Sequence, residues 1–265
     1  MVAEVEQQVS RLRQAGDWYL QAVDAIPADG WAKPSLCEGW TAANVVAHVT
    51  TGDQLFRALL MDALSKDRTG LDLPIDFADR QRRFQVLSTW EPAKLRQAAH
   101  HESEQTVGAI IDALKETPDL ILTLAFGKTP LPVVRSVRVN EYIIHAHDLM
   151  PAVGRAIPAP EWFIDRGLPD SLNMMNRLHQ RSTHKGKSAS FHLHRTDGEG
   201  EWVIRAEGGQ VVTEAVHARA DVAMRGSAEG LYWVLMGRGK PEDHGVEVHG
   251  DPVLAAAFKE WFPGP

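Results

Sequence analysis

The chain of 265 residues reads as a four-helix bundle followed by a smaller α+β domain with one antiparallel sheet. Three observations predict this. Up to Gly154, apolar positions recur at helical spacing in four long stretches. The breaker-rich run Gly154-Arg155-Ala156-Ile157-Pro158-Ala159-Pro160 then interrupts the pattern. Beyond it, short alternating stretches separated by Gly and Asp turns take over, the mark of half-buried strands. The expected domains are 1–154 and 155–265.

In order, residues 2–26 set Val9, Leu12, Trp18, Tyr19 and Ile26 on one stripe with charges between, a long amphipathic helix. A loop with several Pro and Gly follows to Trp40. Its Cys37 reads either as a reactive thiol or as a small buried loop residue. Thr41 is placed to cap a helix running to about Leu64. Residues 65–78 form a polar connection long enough for a lid or a pocket wall. Helix resumes over 79–86, and a longer one covers 93–114. Arg80, Arg82 and Arg83 form a basic cluster with two readings, a solvated helix face or a clamp for a substrate carboxylate. His100 and His101 read as surface residues. Residues 117–134 are expected to be a loop with a short apolar middle, Leu120 to Phe126, and the fourth long helix follows, ending near Gly154.

In the second domain, 161–178 is expected to be helical. Strands are expected at 188–195, 202–206, 211–216 and 220–224. Ser227 opens a helix through Leu235, 246–249 is a short strand, and Asp251 caps a last helix to Trp261.

Composition excludes several classes of function. A net charge of −7 with no basic tract argues against nucleic acid or an anionic membrane as partner. No apolar run approaches a membrane span, and Met1 to Ile26 is amphipathic and charged, unlike a signal peptide. The single Cys rules out an intrachain disulfide and points to a cytoplasmic protein. A monomer or small homo-oligomer is expected.

Chemistry concentrates in Asn140-Glu141-Tyr142-Ile143-Ile144-His145-Ala146-His147-Asp148-Leu149. Glu141, His145 and Asp148 share one stripe of a helix at about 100° per residue, and His147 falls off it. A carboxylate and an imidazole stacked on one helical face can grip one divalent ion. The plainer reading is a weakly paired surface couple. The apolar neighbours argue against it, since a buried Glu needs a partner. His48, two turns into the helix that Thr41 opens, reads alone as a core histidine. Joined to Glu141 and His145, it makes a two-His, one-carboxylate set that leaves coordination positions open.

"LCEGWTAANVVAHV" followed far downstream by "NEYIIHAHDL" resembles the mycothiol-dependent maleylpyruvate isomerase family, of the DinB-like superfamily of metal-dependent four-helix bundles. The resemblance implies metal ligands at His48, Glu141 and His145, most simply for zinc, with Asp148 supporting them from behind. Where many relatives carry Trp, this chain has His147. In the second half, "ADVAMRGSAEGLYWVLMGR" and "VEVHGDPVLAAAF" resemble the family's sterol-carrier-like C-terminal domain. The resemblance further implies mycothiol as a low-molecular-weight thiol cosubstrate and an electrophilic small molecule as its partner. It also sets Arg238 at the edge of the active site, where it could bind a substrate carboxylate; the residue could equally complete a helix C-terminus. The expected activity is thiol transfer of the mycothiol S-transferase type. Cis–trans isomerisation of the maleylpyruvate type is the alternative, and a non-catalytic metal-binding or small-molecule-binding protein is the alternative from another class. His192 and His194 stand two apart on one strand face. No third ligand is evident nearby, so the surface reading is preferred there.

Overall fold

The computed structural model describes residues 2–124 and 127–263. The chain forms two compact units, Met1–Pro160 and Glu161–Pro265.

In the first unit the long helices are α1 (Val2–Asp24), α2 (Ala42–Ala63), α4 (Pro92–Glu116) and α5 (Leu131–Asp148), with a shorter α3 (Phe77–Leu87) and α6 (Met150–Val153). α1 packs on α4 and α5, α2 packs on the same two, and α3 rides on α2. Leu12, Tyr19, Val45, Val46, Leu95, Ile110 and Ile144 fill the centre. Burying an aliphatic or aromatic side chain of this kind stabilises by roughly 1.5–3 kcal/mol. Thr41 caps α2 as expected, its hydroxyl accepting from Asn44 N while the Asn44 side chain accepts from Thr41 N.

The loop expected at 117–134 is different. It holds a hairpin, β1 (Ile121–Leu124) against β2 (Gly127–Pro130), antiparallel. Four-residue strands with two inward residues, Leu122 and Leu124, are too short to show an alternation. Ala125 and Phe126, which end the expected apolar middle, lie outside the described residues. α5 then starts at Leu131, earlier than Pro132 would suggest, because a proline in the first turn loses no helical hydrogen bond.

The second unit runs α7 (Glu161–Leu172), α8 (Met175–His179), β3 (Ala189–Arg195), β4 (Glu201–Glu207), β5 (Gln210–Glu214), β6 (Val222–Gly226), α9 (Ala228–Met236), β7 (Glu247–Gly250), α10 (Pro252–Ala256) and α11 (Phe258–Trp261). The single helices expected at 161–178 and 251–261 are each broken in two.

The sheet order is β5-β4-β3-β6-β7. Three neighbouring pairs are antiparallel as expected, but β3 and β6 run parallel, so the sheet is mixed. The reason is the connection 215–221. β5 ends with Glu214 level with Val203, and β6 begins with Val222 level with Phe191. The chain therefore crosses β4 and β3 sideways and keeps its heading. One face of the sheet is apolar, with Phe191, Leu193, Ile204, Val222 and Met224 buried. Phe258 and Trp261 close on Phe191 there, their ring centroids 5.0 and 6.1 Å from it. The other face carries His192, His194, Glu201 and Arg225.

Candidate metal centre

α2 and α5 pack so that the ring of His48 lies 4.9 Å from that of His145, nearly perpendicular to it. Glu141, one turn before His145 on α5, reaches between them. Its Oε2 is 3.4 Å from His48 Nε2 and 3.7 Å from His145 Nε2. One donor atom from each residue falls within 4.8 Å of the others. The three residues considered together as a ligand set thus converge on one point.

The other ring nitrogens decide how the imidazoles are oriented. His145 Nδ1 is 2.9 Å from Asp148 Oδ2, and Asp148 is fully buried. A carboxylate there keeps the proton on Nδ1, leaving the Nε2 lone pair bare. That Nε2 is buried without a hydrogen-bond partner. A bare, buried lone pair aimed between a carboxylate and a second imidazole fits a divalent ion, because no proton donor is supplied for it.

His48 is held the opposite way. Arg80 Nη2, from α3, donates to His48 Nδ1 at 3.2 Å and to His48 O at 3.1 Å. The neutral ring must then carry its proton on Nε2, pointing at Glu141, in the place an ion would take. An ion held at Nε2 would require the proton on Nδ1, and Arg80 would then keep only its bond to the carbonyl. Burial pushes the His48 imidazole down to about 4, and nearby His145 and Arg80 add to this against the Glu141 hydrogen bond. A neutral ring is the form a metal needs. Burial by itself would raise the Glu141 carboxyl. The His48 hydrogen bond, His145 and the Arg138 guanidinium outweigh it and hold Glu141 well below the usual carboxylate range.

Several features around this centre were not evident from the sequence. Cys37 Sγ donates to the same Asp148 Oδ2 at 3.1 Å, so the loop cysteine abuts the carboxylate that orients His145. The basic cluster splits: Arg80 turns to His48, whereas Arg82 and Arg83 pair with Asp79, and Arg83 also with Asp72. Beneath Glu141, Arg138 is fully buried, its Nη2 donating to Asp53 Oδ1 at 2.8 Å and its Nη1 lying 3.8 Å from Glu141 Oε2. Tyr142 donates to the same Asp53 oxygen at 2.6 Å. Gly52, one turn after His48, makes room for the two guanidiniums. A Cβ there would lie 3.2 Å from Arg138 Nη1 and 3.5 Å from Arg80 Nη2. Trp40 and Phe84 wall the His48 ring, with Trp40 5.0 Å from it and 5.3 Å from Phe84.

Arg238 lies in the second unit, just past the left-handed Gly237 that ends α9. Its Nη1 donates to Met236 O at 2.9 Å, the contact of a helix C-terminus. Among the described residues no helix is long and apolar enough to cross a membrane.

The crystal structure of the mycothiol-dependent maleylpyruvate isomerase, and that of a histidine-to-alanine mutant of it, each superpose with a TM-score of 0.64 at 20% identity, over 89% of this chain and 90% of the other. At that identity they establish the shared fold. No curated protein matches by sequence. The family's C-terminal domain matches residues 171–257, and the mycothiol maleylpyruvate isomerase N-terminal domain matches residues 12–150, across the bundle and all three converging residues. The chain belongs to the mycothiol maleylpyruvate isomerase family, a family of enzymes.

Proposed function

We propose that this protein is a mycothiol-dependent cis–trans isomerase of the maleylpyruvate type, with His48, Glu141 and His145 holding a divalent ion, zinc in the first instance. The observation that carries it is the bare His145 Nε2, aimed with His48 Nε2 at one Glu141 oxygen. Both family domains and the 89% coverage of an isomerase fold favour isomerisation over the thiol transfer expected from the motifs.

An ion in this site would supply the positive charge that keeps a thiol ionised at neutral pH. The chain's own residues do the rest. Two imidazoles and one carboxylate leave room for a sulfur ligand. Asp148 fixes the His145 ring, and Arg80 and Arg138 add positive charge that favours anions, a thiolate or a substrate carboxylate. Trp40 and Phe84 exclude water from one side of His48.

The cosubstrate sulfur adds to the alkene carbon conjugated with the substrate carbonyl, forming a C–S bond as the π electrons move to the carbonyl oxygen. Rotation about the new single bond follows. The electrons then return, the C–S bond breaks, and the trans alkene leaves with the thiolate regenerated. If the adduct is protonated instead, the product is an S-conjugate. Arg238 is part of the proposal as the residue that binds a substrate carboxylate.

Incubation with mycothiol and maleylpyruvate, alongside a panel of other electrophiles, tests this. Isomer without net thiol consumption is expected. Stable thiol adducts would turn the assignment to S-transfer, and neither product would leave a binding protein. Arg238→Met is expected to cut turnover at least about tenfold with metal content and fold retained; unchanged turnover returns Arg238 to a helix-capping role.

A further inference from the structure

The polar face of the sheet carries a second group of metal-ligating side chains. β3 contributes His192 and His194 on one face, and β4 contributes Glu201, directly across from His194. His194 Nδ1 is 2.7 Å from Glu201 Oε1, and His192 Nε2 is 3.3 Å from Glu201 Oε2. The fourth member comes from the crossover 215–221, where His217 Nδ1 bonds Glu201 Oε2. One donor atom from each of these four residues lies within 4.8 Å of all the others.

The topology explains how they meet. To reach β6 the crossover has to pass β4 and β3, and the His217–Glu201 contact puts it on the polar face. Val203, paired with His192 on that face, is buried, and the His217 ring lies 5.4 Å from that of His192. The third ligand that the spacing of His192 and His194 did not reveal is therefore supplied twice over, by a neighbouring strand and by a distant loop.

We propose that His192, His194, His217 and Glu201 form a second metal site, for a late first-row divalent ion such as zinc, nickel or copper. Three imidazoles and one carboxylate are the donor set such ions prefer, and magnesium or calcium would want more oxygen. Ligand atoms about 3.3 Å apart suit a tetrahedral ion with bonds of about 2 Å, and the donors need to draw together only modestly. Four protein ligands fill that coordination sphere, so the site is a clasp without an open position. It ties the crossover to β3 and β4. The cation on the same row, Arg225 beside His194, is turned to Glu247 on β7 at 3.3 Å.

The full-length protein, stripped with a chelator and titrated with zinc, decides the matter. His145→Ala, which disables the bundle centre, is expected to retain one equivalent at micromolar affinity or tighter. His194→Ala/His217→Ala in that background is expected to lose it. In the same His145→Ala protein, zinc should slow tryptic cleavage after Arg219 in the crossover at least about tenfold, and His217→Gln should abolish that protection. His217 is a surface side chain, 81% exposed, so the single change tests the clasp even if the double variant folds poorly. No zinc bound to His145→Ala, binding only at millimolar concentration, or binding and protection that survive loss of His194 and His217 would each overturn the site. Failure of the bundle assignment looks different: wild type would then bind one equivalent, and the sheet substitutions would remove it.

Discussion

The bundle centre and the sheet cluster use the same side chains in opposite settings. In the bundle, His145 is 4% exposed and each imidazole has its second nitrogen held by another residue, Asp148 or Arg80. The three ligands proposed there would leave positions open. On the sheet, His217 is largely in water, the proposed ligands number four, and Glu201 pairs with all three histidines. On the two proposals, burial and outer partners would make a few ligands reactive, and exposure with a full ligand set would make a fastening. A bare lone pair is tolerable deep in the bundle only if something fills it, whereas on the sheet water can always do so.

Four changes break or sharpen this contrast. The largest effect belongs to His145→Ala, which removes a ligand outright. Metal analysis should find the bundle ion gone and thiol-dependent turnover at background, and full occupancy of that site would refute the ligand assignment.

Asp148→Asn keeps the ligands but disturbs the tautomer of His145. Competition with a chromophoric chelator should show affinity weakened about 10- to 100-fold. A direct Asp148–metal bond in a metal-loaded crystal would mean that its role is misassigned.

Arg80→Gln removes a cation facing His48 Nδ1 and offers an acceptor in its place. The same titration should show binding tightened by about tenfold, the scale of one partly screened charge at this distance. Weaker binding would show that Arg80 positions the ring.

The smallest effect concerns Lys259, a partly buried cation near Arg238 whose ammonium donates to Leu235 O at 3.2 Å. Burial and then Arg238 push it down to about 8 from 10.5. Between those values the unfolded chain holds more protons than the folded one, so stability rises with pH across the window. Lys259→Met should abolish that rise and stabilise the protein at pH 7 on the order of 1 kcal/mol, seen as a higher melting temperature. A pH profile matching wild type would show that the amine is solvated after all.

The sequence by itself determined what short-range physics dictates. Helical periodicity marks the four long helices and places Glu141, His145 and Asp148 on one stripe, because 3.6 residues per turn leave no other arrangement. Thr41 announces its helix by cap chemistry. The gathering of His48 with that stripe was legible through family resemblance, since no local rule relates residues on α2 and α5. Tertiary structure alone decided the rest. Cys37 reaches Asp148, and Arg80 leaves Arg82 and Arg83 to face His48, because loop and helix α3 fold back over α2. The crossover 215–221 makes β3 and β6 parallel and carries His217 to Glu201, sixteen positions away in sequence. Periodicity reports which way a side chain faces within its own element; which elements meet is set by packing between distant segments, and that is where both clusters are completed.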